Sequence, residues 1–456
     1  MNRIEVLTVD TPSLGDRSYV VHDGRVAFVV DPQRDIDRVL DLLERHGVEA
    51  TDVFETHVHN DYLTGGLALA EATGASYHVN ADDDVAFDRS PIRDGEVVEI
   101  GDRMRVTALA TPGHTFTHLS YVLTDTGDGS TIAVFSGGSL LYGATGRPDL
   151  LGPEHTAELA RLQHGSAHKL AGLLPDDAGV YPTHGFGSFC SATQSDAEES
   201  TIGREREVNA VLRQDEESWV QEIVDGLGAY PAYYAHMGPG NAAGPGAPDL
   251  SPPSTADAGE LRRRIAAGEW VVDLRNRTVF AAGHAPGTLN FGLDGSFATY
   301  LGWLVAWGTP ITLLGETAAD VAEAQRELVR IGIDRPAAHA TGGPERWTDE
   351  QLRSFPTATF ADLAEVRHHR EVVILDVRRD DEHAESRVVG AVNIPLQELP
   401  TRLADVPSGE VWVHCASGYR ASVAASFLDA AGRRPVAVDD SFDSARPAGL
   451  PLEPQR

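Results

Sequence analysis

The chain has 456 residues, and 69 acidic against 37 basic side chains give it a formal net charge of −32. That balance argues against nucleic acid or an anionic membrane surface as a partner, because either would be repelled. Two cysteines far apart in sequence, Cys190 and Cys415, argue against a disulfide framework, and no apolar run reaches signal-peptide or membrane-span length. A soluble, cytoplasmic protein of two to four domains is expected.

In chain order, Ser18-Tyr19-Val20-Val21 and Val26-Ala27-Phe28-Val29-Val30 flank Asp23-Gly24 and predict a hairpin. Ile36, Val39, Leu40, Leu42 and Leu43 recur at helical spacing until Gly47 stops the run. Val53-Phe54 reads as a buried strand that leads into Glu55-Thr56-His57-Val58-His59-Asn60-Asp61-Tyr62, and Gly65-Gly66 predicts a turn into a helix. Histidines at i and i+2 on an extended loop turn both imidazoles to one side, and Asp61 can join them; a loop held rigid by a strand suits a metal site. Two later punctuated loops supply more histidine, Thr111-Pro112-Gly113-His114-Thr115 and Pro182-Thr183-His184-Gly185. Between them Leu159, Leu162, Leu170 and Leu173 form a helical stripe assigned to core packing. His118 reads as structural, and His78, His155, His164 and His168 as surface or helix residues.

The composition then changes. Residues 239–256 are rich in Gly and Pro and read as a linker that closes a first domain at 1–238. Residues 257–347 and 357–456 look like an internal repeat, with Asp273-Leu274-Arg275 and Asn290 in one copy and Asp376-Val377-Arg378 and Asn393 in the other. In the second copy Val411-Trp412-Val413-His414 brings Cys415 to a short loop before a helix-like run. Backbone N–H groups and the helix dipole favour a thiolate there, and Arg420 can pair with an anionic substrate. Ser417, Gly418 and Tyr419 complete that candidate substrate-binding loop. No cysteine lies between Cys190 and Cys415, and the first copy has Gly315-Glu316-Thr317 where such a loop would begin. It is expected to be an inactive, structural or docking copy.

The three histidine loops resemble the metallo-β-lactamase superfamily, whose pattern is HxHxDH, a His in GHT, an Asp in a GD loop and a final His. The resemblance implies an αββα sandwich and a pocket of His57, His59 and His114, with Asp61 and His184 left from a second pocket. Three neutral imidazoles with an open position can hold an ion that activates water. Tyr62 replaces the motif's last His and Gly138 the GD-loop Asp, so one metal ion, iron or zinc, is expected rather than two. Gly146-Arg147-Pro148-Asp149 matches that family's GRxD segment, which would orient substrate through Arg147. Cys190 resembles a substrate-pocket element of persulfide-processing members; a buried small residue is the plainer alternative.

Both C-terminal copies resemble rhodanese domains. Four residues separate Cys415 from Arg420, the loop length of rhodanese-type sulfurtransferases rather than of related phosphatases. The whole α/β multidomain arrangement is similar to persulfide dioxygenase–rhodanese fusion proteins. In that family a mononuclear iron oxidises a small persulfide and the rhodanese part moves sulfur among persulfide, sulfite, thiosulfate and thiol. Its iron ligands map onto His57, His114 and Gly138, and glycine has no side chain to ligate. A homo-oligomeric sulfur-metabolism enzyme acting on small persulfides, thiosulfate or thiols is therefore expected. The alternatives are a zinc-dependent thioester hydrolase like glyoxalase II, and an N-terminal domain that binds without catalysis.

Overall fold

The computed structural model describes residues 4–192 and 197–454, and the chain divides into two compact units. The first ends at Pro248 and also takes in residues 329–332; the second comprises the rest.

In the first unit, six strands from Glu5–Thr11 to Ser90–Ile92 pair in sequence order, and six more from Val97–Ile100 to Ser200–Thr201 form a second sheet in the same manner. Side-chain alternation decides what lies between them. Tyr19, Val21, Phe28, Val30 and Phe54 point from the first sheet against Val106, Tyr121, Leu123 and Phe135 of the second. Each such burial stabilises by about 1.5–3 kcal/mol. The alternate residues Val20, Val29 and Val53 face outward and are covered through Val39, Leu43 and Leu69 of the helices Asp37–His46 and Gly66–Thr73. On the far side Val122, Val134 and Val180 are covered by Thr156–Leu173 and Glu216–Gly226. The result is the expected αββα order, and the predicted hairpin pairs Tyr19 with Val30 and Val21 with Phe28.

Three details differ from the sequence reading. Leu173 is 61% exposed, and Leu174 is buried in its place beside Leu170; the helix ends at Leu173, so the stripe does not continue past it. His78 is a buried strand residue with Nε2 2.8 Å from Asp52 Oδ1, a position that a lone histidine does not signal. The predicted linker is largely ordered by hydrogen bonds. The helix Tyr234–Ala243 runs through its start despite Pro239, and at its end Ala256 N–H donates to the His339 carbonyl. Glycine and proline there deny the segment a core but leave its polar groups free to dock.

The second unit holds two parallel sheets. One joins Trp270–Asp273, Leu289–Asn290, Ile311–Gly315 and Ala338–Thr341; the other has Val373–Asp376 and Glu410–His414 at its centre. One hydrogen-bond set occurs in both. Arg275 is bidentate to Asp273 and reaches the Gly283 carbonyl, while Asn290 Nδ2 donates to the carbonyls of Asp273 and Arg275. Arg378, Asp376, Ser386 and Asn393 repeat every contact. No helix among the described residues is long and apolar enough to cross a membrane.

Asn241 ties the helix Tyr234–Ala243 to the histidine loop. Its Nδ2 donates to the carbonyls of His59 and Tyr62, and its Oδ1 accepts from Thr64 N–H, each at 2.8 Å. Replacing Asn241 with Ala strands those buried groups and should lower the unfolding free energy by about 2–4 kcal/mol in urea titration. A loss below about 1 kcal/mol would mean that the loop is held by other contacts.

Candidate metal centre and thiol loop

Loops leaving the strands Val26–Val30, Glu49–Phe54, Met104–Ala110, Thr131–Gly137 and Gly179–Pro182 carry the first site. His57, His114 and His184 are all buried and bring one ring nitrogen each within 4.8 Å of the others. Their hydrogen bonds fix the tautomers. Thr56 Oγ1 donates to Asp31, so it accepts from His57 Nδ1 at 2.9 Å. His114 Nδ1 donates to the Arg147 carbonyl at 2.9 Å, and His184 Nδ1 lies 2.9 Å from Asp16 and 3.0 Å from Asp61. Each ring therefore keeps Nε2 for the centre of the cluster, the arrangement that orients metal-ligating histidines.

The cluster fits a metal ion. His114 Nε2 is buried without a hydrogen-bond partner, and the Nε2 atoms of His57 and His184 are 3.4 Å apart. Two imidazoles on one tetrahedral ion, each about 2.0–2.1 Å from it, hold their nitrogens at roughly that separation. Burial keeps His57 well below the usual imidazole range, and burial followed by the His184 charge pushes His114 down to about 3, so both rings stay neutral. Burial opposes charge on His184 as well, but Asp61 and Asp16 raise it to about 9.

The triad differs from the expected His57, His59 and His114. His184 supplies the third nitrogen, while His59 turns its Nε2 to Glu55 at 3.2 Å, Asp31 at 3.3 Å and the Tyr62 hydroxyl at 3.0 Å. Against the burial penalty, Asp31 and Glu55 raise His59 to about 10. His59 Nδ1 has no partner, and His59, Asp61 and His184 make a second group of candidate ligands. Tyr62 stacks on the His59 ring at 4.4 Å, filling the place of the motif's last histidine with a buried wall. His118 is fully engaged: Nδ1 lies 2.9 Å from Thr111 Oγ1, and Nε2 accepts from Gly138 N–H.

Arg147, expected to orient substrate, is engaged within the protein. Its guanidinium is bidentate to Asp149 and also donates to the carbonyls of Phe189 and Gly228, leaving no fork for a ligand. Cys190 is fully buried; burial, then the charges of Asp61 and Asp16, push its thiol well up. Sequence reasoning missed Asp16, Asp31 and Glu55. Asp31, at the end of the run Val26–Val30 and before Pro32, carried a weak signal as a carboxylate closing a buried strand; Asp16 carried none.

In the second unit the strand Glu410–His414 delivers Cys415 to the start of the helix Tyr419–Ala430, and Gly418 N–H donates to its Sγ at 3.1 Å. Gly418 has φ +97, and a Cβ there would meet the Asp439 carboxylate at 2.1 Å, so only glycine fits. Ser417 is exposed at the loop tip. Two other loop residues have partners within the protein. Arg420 is clamped by Glu382, with Nη atoms at 2.6 and 2.8 Å from its oxygens. The Tyr419 hydroxyl donates to the Gly292 carbonyl, its ring lies 5.7 Å from Tyr300, and Gly295 packs closely on it. Ser422 donates to Asn290. Asn290, Gly292 and Tyr300 thus wall the thiol loop.

Comparison with known proteins finds relatives of both parts of the chain. A Rhodanese-like domain model matches residues 359–445. The hydroxyacylglutathione hydrolase of Methylobacillus flagellatus is 32% identical over 130 residues, 28% of this chain and 49% of that protein. The hydroxyacylglutathione hydrolase-like protein of Mus musculus is 30% identical over 148 residues, 32% of this chain and 50% of that one. The chain spans about half the length of these curated relatives. A solved metallo-beta-lactamase from Staphylococcus aureus subsp. aureus COL superposes with a TM-score of 0.66 at 25% identity, covering 75% of this chain and 99% of that one. The chain has a metallo-β-lactamase fold in its N-terminal region. A rhodanese-like domain follows at its C-terminal end.

A Cβ at Gly138 would stand 2.3 Å from His114 Cδ2, so this backbone has no room for the family's carboxylate. Gly138→Asp should therefore lower both the melting temperature and the metal retained per chain, read by thermal unfolding and elemental analysis. Undiminished metal content would show that the His114 ring can yield.

Proposed function

We propose that the chain is a sulfur-metabolism enzyme in which Cys415 carries sulfur as a persulfide and the N-terminal domain acts on persulfide- or thiol-type substrates. The observation that carries this reading is the Gly418 N–H on Cys415 Sγ at the mouth of a buried helix, in a loop with four residues between Cys415 and Arg420. The Cys415 thiolate attacks the sulfane sulfur of thiosulfate, and the S–S bond breaks with its electron pair leaving on sulfite. An acceptor thiolate then attacks the terminal sulfur, taking it away as a new persulfide and releasing the Cys415 thiolate. Backbone N–H groups of the loop stabilise anionic sulfur at each stage. We read residues 257–347 as a rhodanese-like copy without catalysis, since it repeats the Asp–Arg–Asn hydrogen bonds but has no cysteine.

In the N-terminal domain, His57, His114 and His184 are the residues that would hold one ion. Iron would supply redox capacity and zinc Lewis acidity there. Asp16 and Asp61 hold the His184 ring in place, and Thr56 and the Arg147 carbonyl do the same for His57 and His114. A second reading, thioester hydrolysis, is favoured by the donor set of three nitrogens and by the match to hydroxyacylglutathione hydrolases. Iron with O₂ uptake on a persulfide supports the first reading of this domain; zinc with thioester cleavage supports the second.

After thiosulfate treatment, mass spectrometry should find one added sulfur atom on Cys415, and Cys415→Ser should reduce thiosulfate:acceptor transfer by at least about 10³-fold. Turnover that persists in the variant would remove Cys415 as the nucleophile.

A further inference from the structure

Beside the histidine loops the first unit has a cavity of about 550 Å³, with walls that include Val58, Phe116, Leu151, Tyr230 and Tyr234. Its volume suits a small organic ligand. Phe116, Leu151 and Tyr230 are 37–40% exposed, so the rim offers an apolar surface to whatever enters. Among the described residues lining it there is no lysine or arginine, and Asp83 is the one ionisable carboxylate. Arg147, the cation behind Tyr230, is committed to Asp149 and to two carbonyls.

Three polar side chains line the same cavity with an atom that has no partner inside the protein, the Asp83 Oδ2 acceptor and two neutral groups, Asn60 Nδ2 and Thr115 Oγ1. Asn60 is 9% exposed and Thr115 5%. Both flank candidate metal ligands, next to His59 and His114. A turn about the soft terminal torsion of Asn60, or of the Thr115 hydroxyl, presents a neutral donor to a ligand acceptor. Apolar walls, neutral donors and a lone acidic group complement an uncharged polar molecule, and they leave a carboxylate with no partner and a like charge nearby.

We propose that this cavity takes the uncharged, amide-bearing body of an organic thiol, whose persulfide or thioester sulfur then faces the histidine cluster, and that it disfavours carriers with free carboxylates. The inference rests on reading this domain as one that acts on thiol-type substrates, and it narrows that class to neutral carriers.

The test uses the full-length protein and two probes that differ in one group, S-methyl-N-acetylcysteine methylamide and S-methyl-N-acetylcysteine, titrated calorimetrically at neutral pH. The methylamide should bind about tenfold tighter than the carboxylate. Asp83→Asn should narrow that gap, and Asn60→Ala or Thr115→Val should weaken the methylamide alone. Equal affinity, tighter binding of the carboxylate, or no binding of either by the unaltered protein overturns the proposal. Turnover assays on the persulfide and thioester of each carrier separate the two levels. If both carriers are consumed with equal kcat/KM, the proposal falls and the wider reading stands. If the methylamide is bound selectively but neither of its derivatives is consumed, the cavity remains a neutral-thiol site and the reading of this domain as an enzyme falls.

Discussion

One buried carboxylate, Asp31, ties together two of the loops that form the histidine cluster. It accepts from Thr56 N–H and Thr56 Oγ1 at 2.7 Å, from Thr183 Oγ1, and from the His59 ring. Burial alone would raise its pKa, yet the His59 charge and these donors hold it below the usual carboxylate range. Its φ of +49 is an uncommon conformation for a residue other than glycine, and it is kept because the donors converge only there. Through Thr56 the same carboxylate sets the His57 tautomer, and beside Thr183 stands His184. The position of the clustered imidazole nitrogens is thus a consequence of one buried carboxylate at the end of the strand Val26–Val30.

The departures from the superfamily pattern fit this frame. With Gly138 in place of a carboxylate, the His114 ring occupies the space that a side chain would need, and Gly138 N–H instead caps His118. His184 takes part in the triad because Asp16 and Asp61 both hold its Nδ1. The outcome is an all-nitrogen donor set surrounded by carboxylates. An ion held by these nitrogens would be influenced by the carboxylates through the rings.

The C-terminal unit uses one hydrogen-bond set at two strand ends. In both sheets an Asp–Arg pair locks the strand end and an Asn satisfies its carbonyls, contacts that stabilise the sheet whether or not a thiol follows. The sheet without a cysteine also borders the thiol loop. Gly292 accepts from Tyr419, Asn290 from Ser422, and Tyr300 lies against Tyr419. Glu382 neutralises Arg420 at short range, and an incoming anion must therefore compete with a carboxylate already in place.

The sequence by itself determined the layered α/β architecture, because alternation in runs such as Val26–Val30 and helical spacing in Asp37–His46 each admit one buried face. It also determined the thiol loop, since Cys415, Gly418 and the following helix are contiguous and their geometry is local. Tertiary structure alone decided which histidines share a centre. His57, His114 and His184 are up to 127 residues apart, and the rotation of His59 away from them depends on Asp31 and Glu55, which no spacing rule links to it. The same holds for the commitment of Arg147 and Arg420 to carboxylates, and for Asn241 ordering a stretch that composition had assigned to a linker. Periodicity encodes which face of an element is buried; it carries no information about which polar atoms meet once those faces have been packed.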